Sequence, residues 1–188
     1  MFGLTRTQIQ SIFKIWVPLA IVTTLLSGLI YLTVQQDIRI GGNDPQIQIS
    51  EDVARQISTG ENPLDFIPPI KVEVSKSLAN YIIIFDEKGK IIGSSAVLDN
   101  KEPTIPQGVF GQTKSLGETR FTWQPRNGVR SAVVVNYYKG SSSGFVLVGR
   151  SMREIEKRID NLELIVFLAW VITLATSFSA TLFFSKFK

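Results

Sequence analysis

Two long apolar intervals enclose a stretch in which polar and apolar residues alternate in short runs. No charged residue lies between Lys14 and Asp37, or between Glu163 and Lys186. Each interval exceeds the roughly 20 residues needed to cross a hydrocarbon core of about 30 Å. The pattern therefore predicts transmembrane helices over 15–36 and 164–185. Between them, YIIIF (81–85) reads as a buried strand and KIIGSS (90–95) as a second one. The turn DEKG (86–89) joins them, with Gly89 supplying a positive φ. RFTWQ (120–124), VRSAVVVNYY (129–138) and FVLVGR (145–150) are three further strands, and QGVFGQTKSL has room for a short helix. Upstream, Gly41, Gly42 and Asn43-Asp44-Pro45 break the first helix. Ser50 then reads as the cap of a short helix with Ile49, Val53 and Ile57 on one side, ended by Gly60. This order predicts an α+β domain over 37–150. Its expected architecture is a five-stranded antiparallel sheet with helices on one face, flanked by two transmembrane helices.

The stretch from Ser151 to Phe184 has no breaker. Ser151 followed by Glu154 reads as a capping box, so a charged exit helix over 151–163 is expected to run straight into the second span. Met152, Ile155, Ile159, Leu162, Val166 and Ala169 follow alternating steps of three and four, the spacing of a heptad seam, and Thr173, Thr176 and Ala180 continue it. Large apolar residues give way to small ones where lipid replaces water, which suits helix association in each medium. Two readings remain open. The row joins two copies in a homodimer, or its first part packs on its own domain and the span is an anchor.

Charge adds orientation. The net charge is +4, and the ends carry Arg6, Lys14, Lys186 and Lys188 without an acid. By the positive-inside rule, the segments 1–14 and 186–188 are cytoplasmic and the domain lies outside, in a two-pass protein of the cell membrane. The basic balance therefore speaks for a lipid bilayer as partner, not for nucleic acid. The first apolar run is too long for a signal-peptide core and lacks a small-x-small cleavage site, so it reads as an uncleaved anchor. With neither Cys nor His, a Ser-His-Asp triad, a thiol nucleophile and a thiolate zinc site are excluded. No cofactor or metal is implied.

FDEKGKIIGSS resembles the first hairpin of extracytoplasmic PAS-like sensor domains of the Cache type. The three later strands, and a last strand leading into a membrane helix, are similar to the same family. The layout of span, outer domain and span resembles that of bacterial sensor histidine kinases and chemoreceptors. NDPQIQISEDVARQ, FTWQPRNGVR and FVLVGRSMREIE resemble small bacterial two-span proteins described as sensor-kinase-like. The chain departs from the kinases in having no phospho-accepting His and no ATP-binding domain. The Tyr, Arg, Trp and Asp constellation of amino-acid-binding Cache domains is not recognisable. The resemblance thus implies a PAS/Cache-like sensor or signal-relay module without an output domain of its own, acting through a membrane protein partner. The alternative is a structural or accessory subunit of a larger membrane complex, docking through the outer domain.

One cluster suggests a small anionic ligand: Arg120, Trp123, Arg126, Arg130 and Tyr137, with Tyr138 beside it. An Arg among aromatics can clamp a carboxylate. Strand alternation argues the other way, because Arg120 and Trp123 point to opposite faces, and Arg126 and Arg130 flank a turn where charge is usually solvated. The carboxylate pairs Glu51-Asp52 and Asp86-Glu87 fit a helix start and a turn. No enzyme is expected.

Overall fold

A computed structural model describes residues 6–185, so the expected tail 186–188 and the first five residues lie outside the described residues. The chain divides into two compact units. One is residues Arg39–Glu156; the other combines the residues up to Ile38 with those from Lys157 onward.

In the second of these, two helices are long and apolar enough to cross a membrane. Helix α1 (Arg6–Gly41) passes through Pro18 without interruption. Helix α4 (Arg153–Ser185) is likewise continuous. The expected capping box does not form. Ser151 is the last residue of a strand, and its hydroxyl accepts from the Arg153 N–H at 3.3 Å. The helix starts two residues later than its sequence suggests because strand pairing holds Ser151 opposite Ser131.

Helix α2 (Asp44–Ser58) opens six residues before Ser50. Pro45 explains this, since its fixed φ and missing N–H suit the first turn of a helix. Ser50 is therefore an interior residue, fully buried. A 3₁₀ turn (Pro63–Phe66) and a two-residue strand β1 (Val72–Glu73) follow. The sheet strands are β2 (Tyr81–Asp86), β3 (Ile91–Ser94), β5 (Glu118–Arg126), β6 (Val129–Lys139) and β7 (Ser143–Ser151). Strand β4 (Ala96–Val97) pairs with β1 in a short parallel ladder, and helix α3 is Gly108–Leu116. Gly89 takes φ 77° in the β2–β3 turn, as its position predicted.

The five strands form an antiparallel sheet in the order β3-β2-β7-β6-β5. Alternation sorts their side chains into two cores. On one face Tyr81, Ile83, Phe85, Val133, Val135, Phe145 and Leu147 pack with Phe110 of α3. On the other, Ile82, Ile84, Tyr138, Val146 and Val148 pack with Val53, Ala54 and Ile57 of α2. Helices thus cover both faces, which corrects the expectation of helices on one face only. The reason is in the strands. YIIIF, AVVV and FVLV are apolar at consecutive positions, so neither side of the central strands can be left to water.

Candidate functional site

The five candidate ligand residues do not converge. Arg120 is exposed on β5 and pairs with Glu118, two residues away on the same face. Trp123 lies on the opposite face, 5 % exposed, edge-on to Tyr81 at 6.5 Å between ring centres. Arg126 pairs at 3.0 Å with Asp99, which sits in a tight turn at φ 53°. Tyr137 stacks on Phe145 at 5.3 Å, and Lys114 lies 6.0 Å above its ring. Tyr138 faces the other core, its hydroxyl donating to the Phe85 carbonyl at 3.4 Å. A carboxylate held by Arg120 could not also touch Trp123, because a sheet stands between them.

Arg130 has a different occupation. Its guanidinium donates to Glu156 at 2.5 Å, and its carbonyl accepts from the Met152 N–H at 2.9 Å. Met152 is the only residue between β7 and α4, and its sulfur receives the Thr122 hydroxyl at 3.7 Å. The guanidinium of Arg150 donates to the Leu78 carbonyl at 3.0 Å and that of Arg153 to the Lys76 carbonyl at 3.4 Å. Arg150 belongs to β7 and not to the helix, so the helical pair Arg150–Glu154 that four-residue spacing suggests is replaced by this backbone contact. The first turn of α4 is in this way tied to β5, to β6 and to the segment after β1. Arg130, one of the five candidate ligand residues, thus takes part in rooting α4.

The row expected to join two copies is largely covered within the single chain. Met152, Ile155, Leu162 and Val166 are half-buried and Ile159 is 8 % exposed. From there the covered row runs through Trp170, Leu174, Ser177 and Thr181, whereas Ala169, Thr173, Thr176 and Ala180 stay exposed. Within one chain, of the six residues Met152, Ile155, Ile159, Leu162, Val166 and Ala169, Ile159 is buried and Ala169 is exposed. A straight helix keeps its own period near 3.6, so a strict 3.5 repeat drifts off the contact within two heptads.

What that row meets beyond Val166 is α1. The Trp16 indole N–H donates to the Ser177 hydroxyl at 3.2 Å, and the Trp170 indole N–H to the Thr24 hydroxyl at 3.0 Å. Each helix supplies one indole and one hydroxyl. Trp16 also meets Phe178 edge-on at 5.2 Å. Interhelical bonds of this kind in lipid contribute about 0.6 kcal/mol each. Trp16 reads from sequence as an interfacial aromatic, and Trp170 carries no positional signal; only the pairing shows what they do. Ser27 and Gly28 line a hollow of about 300 Å³ with Tyr31, Glu163, Phe167 and Trp170.

Electrostatics in the sheet domain centre on the β2–β3 turn. Glu87 accepts from Lys114 at 2.5 Å and from Ser143 at 2.9 Å. The Lys114 ammonium holds the Glu87 carboxyl below its ordinary value, and Glu87 raises Lys114 in return. Asp86 accepts from the backbone of Lys88 and Lys90 at 2.9 and 2.8 Å, as a turn aspartate should. Burial pushes the hydroxyls of Tyr81 and Tyr138 up. Asn136 donates to Ser50 at 2.9 Å across the second core. Among the described residues no cluster of three His, Cys, Asp or Glu side chains could hold a metal. Compared with known protein families and with curated proteins, the chain matches none.

Proposed function

We propose that α1 and α4 cross the cell membrane, with both ends cytoplasmic and the sheet domain outside, and that this domain passes a signal to a membrane protein partner. The charge-free intervals and the acid-free basic ends support the orientation. The likeness of FDEKGKIIGSS and of the span–domain–span layout to Cache-type sensors supports the role. One observation carries the relay. Strand β7, third of five in the sheet, leads into α4 through Met152 alone, and Arg130–Glu156 clamps the junction. A displacement of β7 has no flexible linker in which to dissipate before it reaches the span. The exposed residues Ala169, Thr173 and Thr176 are the face of α4 left for a partner helix.

A second reading, an accessory subunit that docks through its outer domain, is favoured by the scattered placement of the five candidate residues. The exposure of Leu64 and Ile70 on the domain, 53 % and 78 %, favours it too.

Orientation is tested by placing cysteines at Ser142 and Lys188 and labelling intact cells with a membrane-impermeant maleimide. Label at Lys188 and none at Ser142 would invert the topology. The relay is tested on cysteines at Ala20 and Leu174, which the two indole bonds bring to the same level. Arg130→Ala should change their cross-linking rate about fivefold if the junction transmits strain worth roughly 1 kcal/mol. An unchanged rate leaves α4 as an anchor and favours docking.

A further inference from the structure

A cleft of about 990 Å³ opens between the first turns of α1 and the last turns of α4. On the α1 side it is lined by Ser11 and Lys14, one turn apart, and among the described residues neither has a hydrogen-bond or ion-pair partner. Ile15, Leu19 and Phe184 supply an apolar wall. No Asp or Glu side chain lies before Asp37 or after Glu163 in the sequence, so no acidic side chain of either segment competes for the ammonium. Lys14 is also the last charge before the apolar interval, the level at which a long basic side chain meets lipid phosphates. The hollow lined by Glu163 is smaller and opposite in sign, so the two do not select the same molecule.

We propose that this cleft holds an anionic phospholipid. The Lys14 ammonium and the Ser11 hydroxyl donate to its phosphate oxygens, and an acyl chain lies along Ile15, Leu19 and Phe184. Charge complementarity selects the anion, and the apolar wall selects a lipid over a free anion. The site rests on the two-span reading.

The full chain is reconstituted in vesicles of phosphatidylcholine with phosphatidylglycerol, floated on a density gradient, extracted in mild detergent and weighed by native mass spectrometry. Retention of phosphatidylglycerol in preference to phosphatidylcholine is expected. Lys14→Gln should lower that preference about fivefold. Ala180→Trp, which fills the cleft without changing charge, should lower it as far, with Ala180→Leu in its place if the larger side chain prevents insertion. Arg6→Gln, which removes a charge outside the cleft, should leave it within about twofold. Equal retention of both lipids would overturn the site. So would equal losses from Arg6→Gln and Lys14→Gln with Ala180→Trp silent, the pattern of diffuse surface attraction. Displacement of the lipid by millimolar inorganic phosphate would assign the cleft to a free anion instead. A chain that floats without selectivity refutes the site alone, whereas a chain that stays in the aqueous fraction removes the span reading and the site together.

Discussion

Gly149 lies opposite Tyr81 in the β2–β7 ladder, and the tyrosine ring lies across it. A Cβ added at Gly149 would stand 2.2 Å from Tyr81 Cζ, 2.3 Å from the hydroxyl and 2.6 Å from Cε2. Ordinary contact begins at 3.4 Å, so the ring would have to move by 3.4 − 2.2 = 1.2 Å. It has little room to do so. Tyr81 is 1 % exposed and sits edge-on to Trp123 in a core that also holds Phe85, Phe110 and Phe145. Overpacking of this kind costs about 1–3 kcal/mol. Gly149→Ala should therefore lower stability by that amount, read as a shift in the urea midpoint at constant slope. Trp123 fluorescence reports the transition in a Trp16→Phe/Trp170→Phe background, because Trp123 is the one tryptophan of the sheet. Tyr81→Ala alone should cost about 3–5 kcal/mol as a core cavity. Combined with Gly149→Ala it should cost less than the sum, since the alanine methyl then enters the space that the ring has left. A Gly149→Ala variant within about 0.5 kcal/mol of the parent, or strict additivity in the cycle, would refute the close approach.

The same assay reads the second core. Ser50→Ala should cost about 1–3 kcal/mol by leaving the buried Asn136 amide without its partner, and Ser50→Ala/Asn136→Leu should recover most of it; equal losses in both would mean that the bond is not made. In detergent, Trp170→Phe should weaken the contact between α1 and α4 by about 0.6 kcal/mol and slow cross-linking between cysteines at Ala20 and Leu174. An unaltered rate would show that the indole is not the tie. Glu87 contributes stability above its unfolded value near 4.5, and this is lost as pH falls through its lower folded value; Lys114 contributes below 10.5, lost as pH rises through its higher one. A carbon-detected NMR titration should find the Glu87 midpoint below 4.5 and see Lys114→Met raise it; a midpoint indifferent to Lys114 would contradict the pairing. Tyr81 and Tyr138 should ionise late in an absorbance titration, and stability should fall as pH climbs from 10 towards their folded values; a normal midpoint for both would contradict their burial.

Most of the fold is written in local pattern. The five strands follow from short β-rich apolar runs and the turns from Gly, Pro and Asp, each within a few residues of its structural position. The two long helices follow from intervals without charge, because length and composition alone make a helix long and apolar enough to cross a membrane. Hydrophobic periodicity says which residues are covered, and not what covers them. It therefore marks Ile155, Ile159, Leu162 and Val166 as a covered row while leaving open whether a second copy or the chain's own domain covers it. Likewise, a run such as YIIIF declares that both sides are buried without saying that α2 takes one and α3 the other.

The candidate site lay further out of reach. Arg130 is separated from Glu156 by a strand, a loop and another strand, and local spacing cannot reveal an ion pair closed by sheet register. Asn136 in VVVNYY stands out as a polar residue within an apolar run, whereas Ser50 reads from sequence as a helix cap and not as a buried partner. That they answer each other depends on how α2 crosses the sheet. Trp170 and Thr24 are one polar pair only because two apolar helices run antiparallel in a particular register. Sequence by itself determined the elements, the apolar intervals and the sign of the charge at each end, because these depend on near neighbours and on composition. Tertiary structure alone decided which partners meet, because register and crossing are set by how whole surfaces fit together.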